Sequence, residues 1–139
     1  TRIGHRIPSA NPSQNPIPII QVAKLFLSQD DATAQKIMGE LKSKYIILDY
    51  PIITSKFYAM LTWSGGNIDD YMGIYLVPNG KNLNPIRLFY PVYYQSLSVR
   101  LYNFNGESVT SERAIVITYV EKTDNGNKYR QVTESREFT

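Results

Sequence analysis

The stretch from Tyr45 to Met60 constrains this chain most. It reads Tyr-Ile-Ile-Leu-Asp-Tyr-Pro-Ile-Ile-Thr-Ser-Lys-Phe-Tyr-Ala-Met. Tyr45 to Leu48 is continuously apolar, the pattern of a strand covered on both faces. Pro51 has no backbone N–H and pushes Tyr50 toward extended geometry, so the strand is expected to end near Asp49. Thr54 or Ser55 can accept a hydrogen bond from the first free amides of a helix running to about Trp63. On that helix Lys56 and Met60 stand four apart and share a face. Asp49 then closes a strand at its C-terminal end, where open α/β sheets usually meet ligands. The competing reading makes Asp49 a loop carboxylate, Lys56 a solvated charge and Met60 a core filler.

On either side the pattern is mixed. Residues 1–18 hold Pro8, Pro12, Pro16 and Pro18 and read as an extended leading segment. Pro18 to Ser28 predicts a helix whose apolar face is Ile19, Val22, Ala23, Phe26 and Leu27. Asp30 and Asp31 open a second helix through about Lys42, with Ala34, Ile37, Met38 and Leu41 inward. Gly39 within it is either a mild weakness or a place of close packing. Ser64-Gly65-Gly66-Asn67 ends the Lys56 helix. Met72 to Val77 is a second strand closed by Pro78-Asn79-Gly80, so strand, helix and strand predict a parallel unit with a right-handed crossover. Lys81 to Arg87 reads as loop.

Pro91 to about Asn103 predicts a helix. Tyr90, Tyr93, Tyr94, Leu97, Leu101 and Phe104 recur at helical spacing, with Ser96 and Arg100 on the other side. That aromatic face reads as core before it reads as a sugar-stacking platform. Arg113 to Lys122 is a strand, Asp124-Asn125-Gly126-Asn127 a type I′ turn, and Lys128 to Thr133 returns antiparallel. The expected architecture is one mixed α/β, or α+β, domain over 1–139: a small sheet with helices packed on it and a C-terminal β-hairpin.

Several chemistries are excluded. With no cysteine among 139 residues, no disulfide, thiolate metal site or cysteine nucleophile is possible. The net charge of +3 is small and its basic residues scattered, which argues against nucleic acid. No apolar run approaches the roughly 20 residues of a spanning helix. The lone histidine, His5, has no neighbouring ligand cluster, and a nucleophilic triad has no other base. Asp69 and Asp70 are adjacent, a spacing that rarely converges on one substrate atom. No phosphate loop or nucleophile elbow occurs. The first residue is Thr1, which leads to the expectation of a piece cut from something longer. The chain therefore reads as a module that recognises something or completes a site lying partly elsewhere.

Two stretches carry a resemblance. Gly4-His5-Arg6-Ile7-Pro8-Ser9-Ala10-Asn11-Pro12-Ser13-Gln14 resembles the segment after the WWDYG motif of archaeal oligosaccharyltransferase catalytic subunits, the AglB family. Asp49 through Lys56-Phe57-Tyr58-Ala59-Met60 resembles the family's DK motif. Tyr94-Gln95-Ser96-Leu97 with Arg100 to Gly106 is similar to the helix that follows. Bacterial PglB and the eukaryotic catalytic subunit are relatives.

The resemblance implies transfer of an oligosaccharide from a lipid carrier to asparagine in an Asn-x-Ser/Thr sequon. It implies a membrane domain holding a divalent metal, Mg or Mn, and the catalytic acids. It also implies a C-terminal globular domain on the extracytoplasmic face that recognises the sequon's Ser or Thr. Neither WWDYG nor the metal-binding residues occur here, so the sequence is expected to start just beyond that motif and to be inactive alone. Partners so implied are the acceptor polypeptide, the lipid-linked oligosaccharide and the protein's own transmembrane domain. Carried across residue by residue, Asp49, Lys56 and Met60 form part of the Ser/Thr pocket, with Lys56 held by Asp49 and Met60 facing a methyl group. Outside the resemblance, the alternatives are a standalone peptide- or glycan-binding module using the tyrosine-rich face, or a structural domain.

Overall fold

The computed structural model describes residues 16–108 and 112–138. The reading of residues 1–15, His5 included, lies outside them. The described residues fall into two compact units. One holds the chain up to Asp70 and the stretch from Pro91 to Ser108. The other holds Tyr71–Tyr90 and the stretch from Glu112 to Phe138. Helices gather in the first and strands in the second, so the mixed α+β class read from the sequence holds.

The helical unit begins with α1, Pro16–Leu27, two residues ahead of the expected start, because proline is tolerated in a first turn. Next comes α2, Asp31–Leu41, as the acidic residues predicted. Asp30 caps it, accepting from the Thr33 backbone N–H at 2.8 Å. That hydrogen bond holds the Asp30 carboxyl below its ordinary pKa. Lys42 closes α2 in the left-handed region at φ 53°. Nothing lies within 4 Å of a Cβ built on Gly39, so that glycine is not a point of close packing. Then follow α3, Tyr50–Ile53, and α4, Phe57–Ser64, the latter closed by Gly65 at φ 78°.

The expected aromatic helix is two, α5, Pro91–Gln95, and α6, Leu97–Phe104. Ser96 between them is extended, at φ −62° and ψ 137°. This break resets the helical phase. Ser96 and Arg100, expected opposite the packed face, are both buried. Leu25, Ala34 and Leu97 centre the core of this unit, with Ile37, Met38, Leu41, Ile46 and Leu101 against them. Small side chains let α6 press on the end of α1. Ser98 Oγ donates to Phe26 O at 3.0 Å, and Leu97 N donates to Ser28 O at 2.9 Å. Arg100 is 3% exposed, whereas its ion-pair partner Asp31, at 3.1 Å, is 72% exposed. Its guanidinium also donates to the carbonyls of Gln95 and Gly106.

The sheet unit contains β1, Met72–Asn79; β2, Asn82–Phe89; β3, Ala114–Asp124; and β4, Asn127–Phe138. Their order is β2-β1-β4-β3. The strand expected at Tyr45 to Asp49 is absent from it. That segment is neither helix nor strand and has no partner strand among the described residues, and Ile47 is 86% exposed. The parallel strand–helix–strand unit therefore does not form. Instead β1 pairs antiparallel with β2 and parallel with β4, Leu76 opposite Gln131. Residues 81–87, expected as loop, are mostly β2. Asn82, Asn84 and Pro85 suggested a breaker, but an edge strand accommodates proline.

The expected C-terminal hairpin forms. Asn125 at φ 49° and Gly126 at φ 81° make its turn. A bulge adds Thr133 to β4 between the pairs Thr118–Glu134 and Tyr119–Val132.

On one face of the sheet, Tyr75 and Tyr90 hydroxyls stand 2.6 Å apart and the Arg130 guanidinium lies over the Tyr75 and Tyr119 rings. Gly73 makes room for this group. A Cβ there would stand 2.3 Å from the Tyr90 hydroxyl and 2.9 Å from the Arg130 guanidinium. Gly73→Ala is expected to cost about 1–3 kcal/mol through overpacking, read by urea unfolding. Arg100→Leu, which strips two carbonyls of a buried donor, is expected to cost about 1–3 kcal/mol in the same assay. Asp31→Asn, at the solvated end of that pair, is expected to cost less than about 1 kcal/mol.

Candidate functional site

The site is built on the bend between α3 and α4. Pro51 in the first turn of α3 starts a helix where a proline-containing turn was expected. Asp49 is its N-cap rather than the end of a strand. One carboxylate oxygen accepts from Ile52 N at 3.2 Å. Thr54, at φ −122° and ψ −98°, stops α3 after one turn. Its hydroxyl turns back to donate to Tyr50 O at 2.9 Å. Neither Thr54 nor Ser55 caps α4. Lys56 takes the cap position in helical geometry, without a side-chain cap bond.

The bend places Lys56 Nζ 3.5 Å from the second carboxylate oxygen of Asp49. Both side chains are exposed, so the pair contributes little stability and mainly sets direction. Met60 is half-buried one turn on, its N–H donating to Lys56 O at 3.1 Å. The structure thus brings Asp49 and Lys56 together and sets Met60 one helical turn beyond, although the strand expected to carry Asp49 is missing.

What holds the bend lies below it. Ile53, Phe57 and Leu61 are buried, Phe57 with no exposed surface. Tyr93 of α5 packs edge-on against Phe57, ring centres 5.0 Å apart, and donates its hydroxyl to Ile53 O at 2.6 Å. Burial raises the Tyr93 phenol above its ordinary pKa. Tyr93 is therefore a support and no stacking platform, as its place on a predicted core face implied. Sequence reasoning missed that link, since 40 residues separate Tyr93 from Ile53. Above the bend, Tyr50 and Tyr102 are exposed with ring centres 6.0 Å apart.

Asp69 and Asp70 lie in a single 3₁₀ turn, where Asp69 N donates to the Asn67 side chain. Among the described residues no group of three or more His, Asp or Glu side chains could hold a metal. The chain's described residues thus do not fit the divalent ion that the resemblance implies, and no step here runs through one. No described helix is long and apolar enough to cross a membrane.

The sequence resembles archaeal oligosaccharide–protein transferases, with Asp49 expected at a strand end rather than on a helix bend. Comparison with known proteins bears that resemblance out. One relative is the dolichyl-phosphooligosaccharide-protein glycotransferase 3 of Archaeoglobus fulgidus, 25% identical over an alignment covering 81% of this chain. The chain spans 16% of that protein's length. No family model matches the chain, and no solved structure matches it.

The cap and the ion pair of Asp49 can be separated. Asp49→Ala is expected to destabilise by about 1 kcal/mol through loss of the cap. Lys56→Ala, which removes only the exposed pair, is expected to cost less than about 0.5 kcal/mol. Thermal unfolding of the two variants side by side reads the difference.

Proposed function

We propose that this chain is part of an enzyme that moves an oligosaccharide from a lipid carrier to asparagine in Asn-x-Ser/Thr sequences. Within it, Asp49, Lys56 and Met60 form part of the pocket for the acceptor's Ser or Thr. The observation that carries this reading is the Asp49–Lys56 pair, with Met60 one turn on, in a chain similar to a glycotransferase.

The chemistry follows from the side chains. Asp49, fixed by its cap bond, holds the Lys56 ammonium at the mouth of the bend. The ammonium has three donors, and an acceptor hydroxyl can take one. Met60 offers a polarizable surface to the methyl group of threonine. Such contacts contribute about 1–3 kcal/mol, enough to discriminate among acceptors without binding them tightly. This module supplies no proton transfer and is inactive alone. The catalytic acids and the Mg or Mn ion belong to a membrane domain, and the rest of the pocket to the WWDYG motif of the same globular half, on the extracytoplasmic face.

The test is glycosylation of Asn-x-Thr and Asn-x-Ser peptides by the full-length enzyme. Lys56→Ala is expected to lower kcat/KM for both acceptors by about tenfold or more. Met60→Ala is expected to lower it chiefly for threonine, so the Thr/Ser ratio falls. Both variants acting like the parent on both peptides would overturn the assignment.

A further inference from the structure

Among the described residues, strand β3 lies at one edge of the sheet, paired only with β4. Its first half, Ile115-Val116-Ile117-Thr118-Tyr119-Val120, is apolar on both faces and largely exposed, although Tyr119 packs against Tyr75 and Arg130 and Ile117 is half-buried. Ile115 is 66% and Val116 54% exposed, on opposite faces. Natural edge strands are usually short, interrupted or charged to prevent pairing. The opposite edge obeys this, since β2 carries Pro85 and Arg87. Eleven residues of β3 run without a break, because the bulge lies in β4.

The charges at the two ends of this run are mirror images in sign. Glu112 and Arg113 precede it, and Glu121 and Lys122 follow it. We propose that β3 pairs antiparallel with β3 of a second copy of this chain, about a two-fold axis through Ile117. In that register Arg113 faces Glu121 of the other copy and Glu112 faces its Lys122. Each opposition occurs twice by symmetry. Ile115 meets Tyr119, and Val116 meets Thr118. Arg113, already paired with Glu137 of its own β4, would lie between two carboxylates.

The backbone fits the same register. The two-residue turn makes Asp124 and Asn127 its hydrogen-bonded closing pair. Alternation then turns even-numbered residues of β3 toward β4 and odd-numbered N–H and C=O groups toward the free edge. Ile117 opposite Ile117, and Ile115 opposite Tyr119, bring those outward groups face to face. An axis through Thr118 would satisfy the backbone equally. It would set Glu112 against Asp124 and Ile115 against Glu121, so charge decides between the two. The continuous sheet would also cover apolar side chains on both faces of β3 with their symmetry mates.

Sedimentation equilibrium of the 139-residue chain over a wide concentration range tests this, with circular dichroism confirming the fold of each variant. A dimer is expected. Lys122→Glu and Glu112→Lys should each weaken it about tenfold, because each creates two like-charge contacts. The double exchange Glu112→Lys with Lys122→Glu should restore the parent affinity. Ile115→Lys, at an exposed position, should also weaken it. A monomer at every concentration overturns the proposal and leaves the edge to a strand of another polypeptide. A dimer indifferent to these substitutions overturns it too.

Discussion

The helical unit depends on one buried ring. Phe57 has no exposed surface and sits at the first residue of α4, just past the residue where α3 has broken. Ile53 below the break and Leu61 one turn above Phe57 are buried beside it. Asp49 and Lys56 are left exposed beside this anchor, and Met60 is half-buried. Burying a phenylalanine contributes roughly 1.5–3 kcal/mol, whereas an exposed ion pair contributes at most about 1. The apolar anchor therefore sets where the charges stand. The charges do not hold the anchor. Tyr93 adds a directional link, since its bond to the Ile53 carbonyl fixes α3 against α5.

This division of labour explains which parts could be read from the sequence. Helices α1 and α2 follow from periodicity and from Asp30, because amphipathic faces and caps are local features. The hairpin of β3 and β4 follows from Asn125-Gly126, a local requirement for positive φ. The grouping of Asp49, Lys56 and Met60 was legible from helical spacing plus a resemblance. The strand under Asp49 was misread because an apolar run reports affinity for cover, not the presence of a partner. Residues 43–49 form neither helix nor strand, and no described strand pairs with them.

The α5–α6 break shows the complementary failure. Pro91 to Asn103 has helical spacing throughout, so one helix was the simplest reading. Ser96 interrupts it because its backbone is extended and its side chain, fully buried, donates to Val92 O at 3.1 Å. Serine competes with helical hydrogen bonding in this way. The consequence is large for Arg100. In one unbroken helix it would sit opposite the packed face. After the break it is buried and bound to two carbonyls and one exposed carboxylate. Its second terminal nitrogen is also buried and has no hydrogen-bond partner among the described residues, a cost that the surrounding bonds must offset.

Two apolar runs in this chain carry the same signal and meet different fates. Tyr45 to Leu48 turns Ile46 into the helical core and leaves Ile47 outside, so half its apolar surface is already used. The β3 run leaves apolar side chains uncovered on both faces while its inner edge is fully paired. For the first, burial and backbone pairing are separable, because α1, α2 and α6 cover Ile46 without any strand. For the second they coincide: another strand beside β3 would pair its outward backbone groups and extend cover over both faces at once. The opposite-signed charges at its two ends then act as a register mark, because moving the axis to Thr118 sets Glu112 against Asp124.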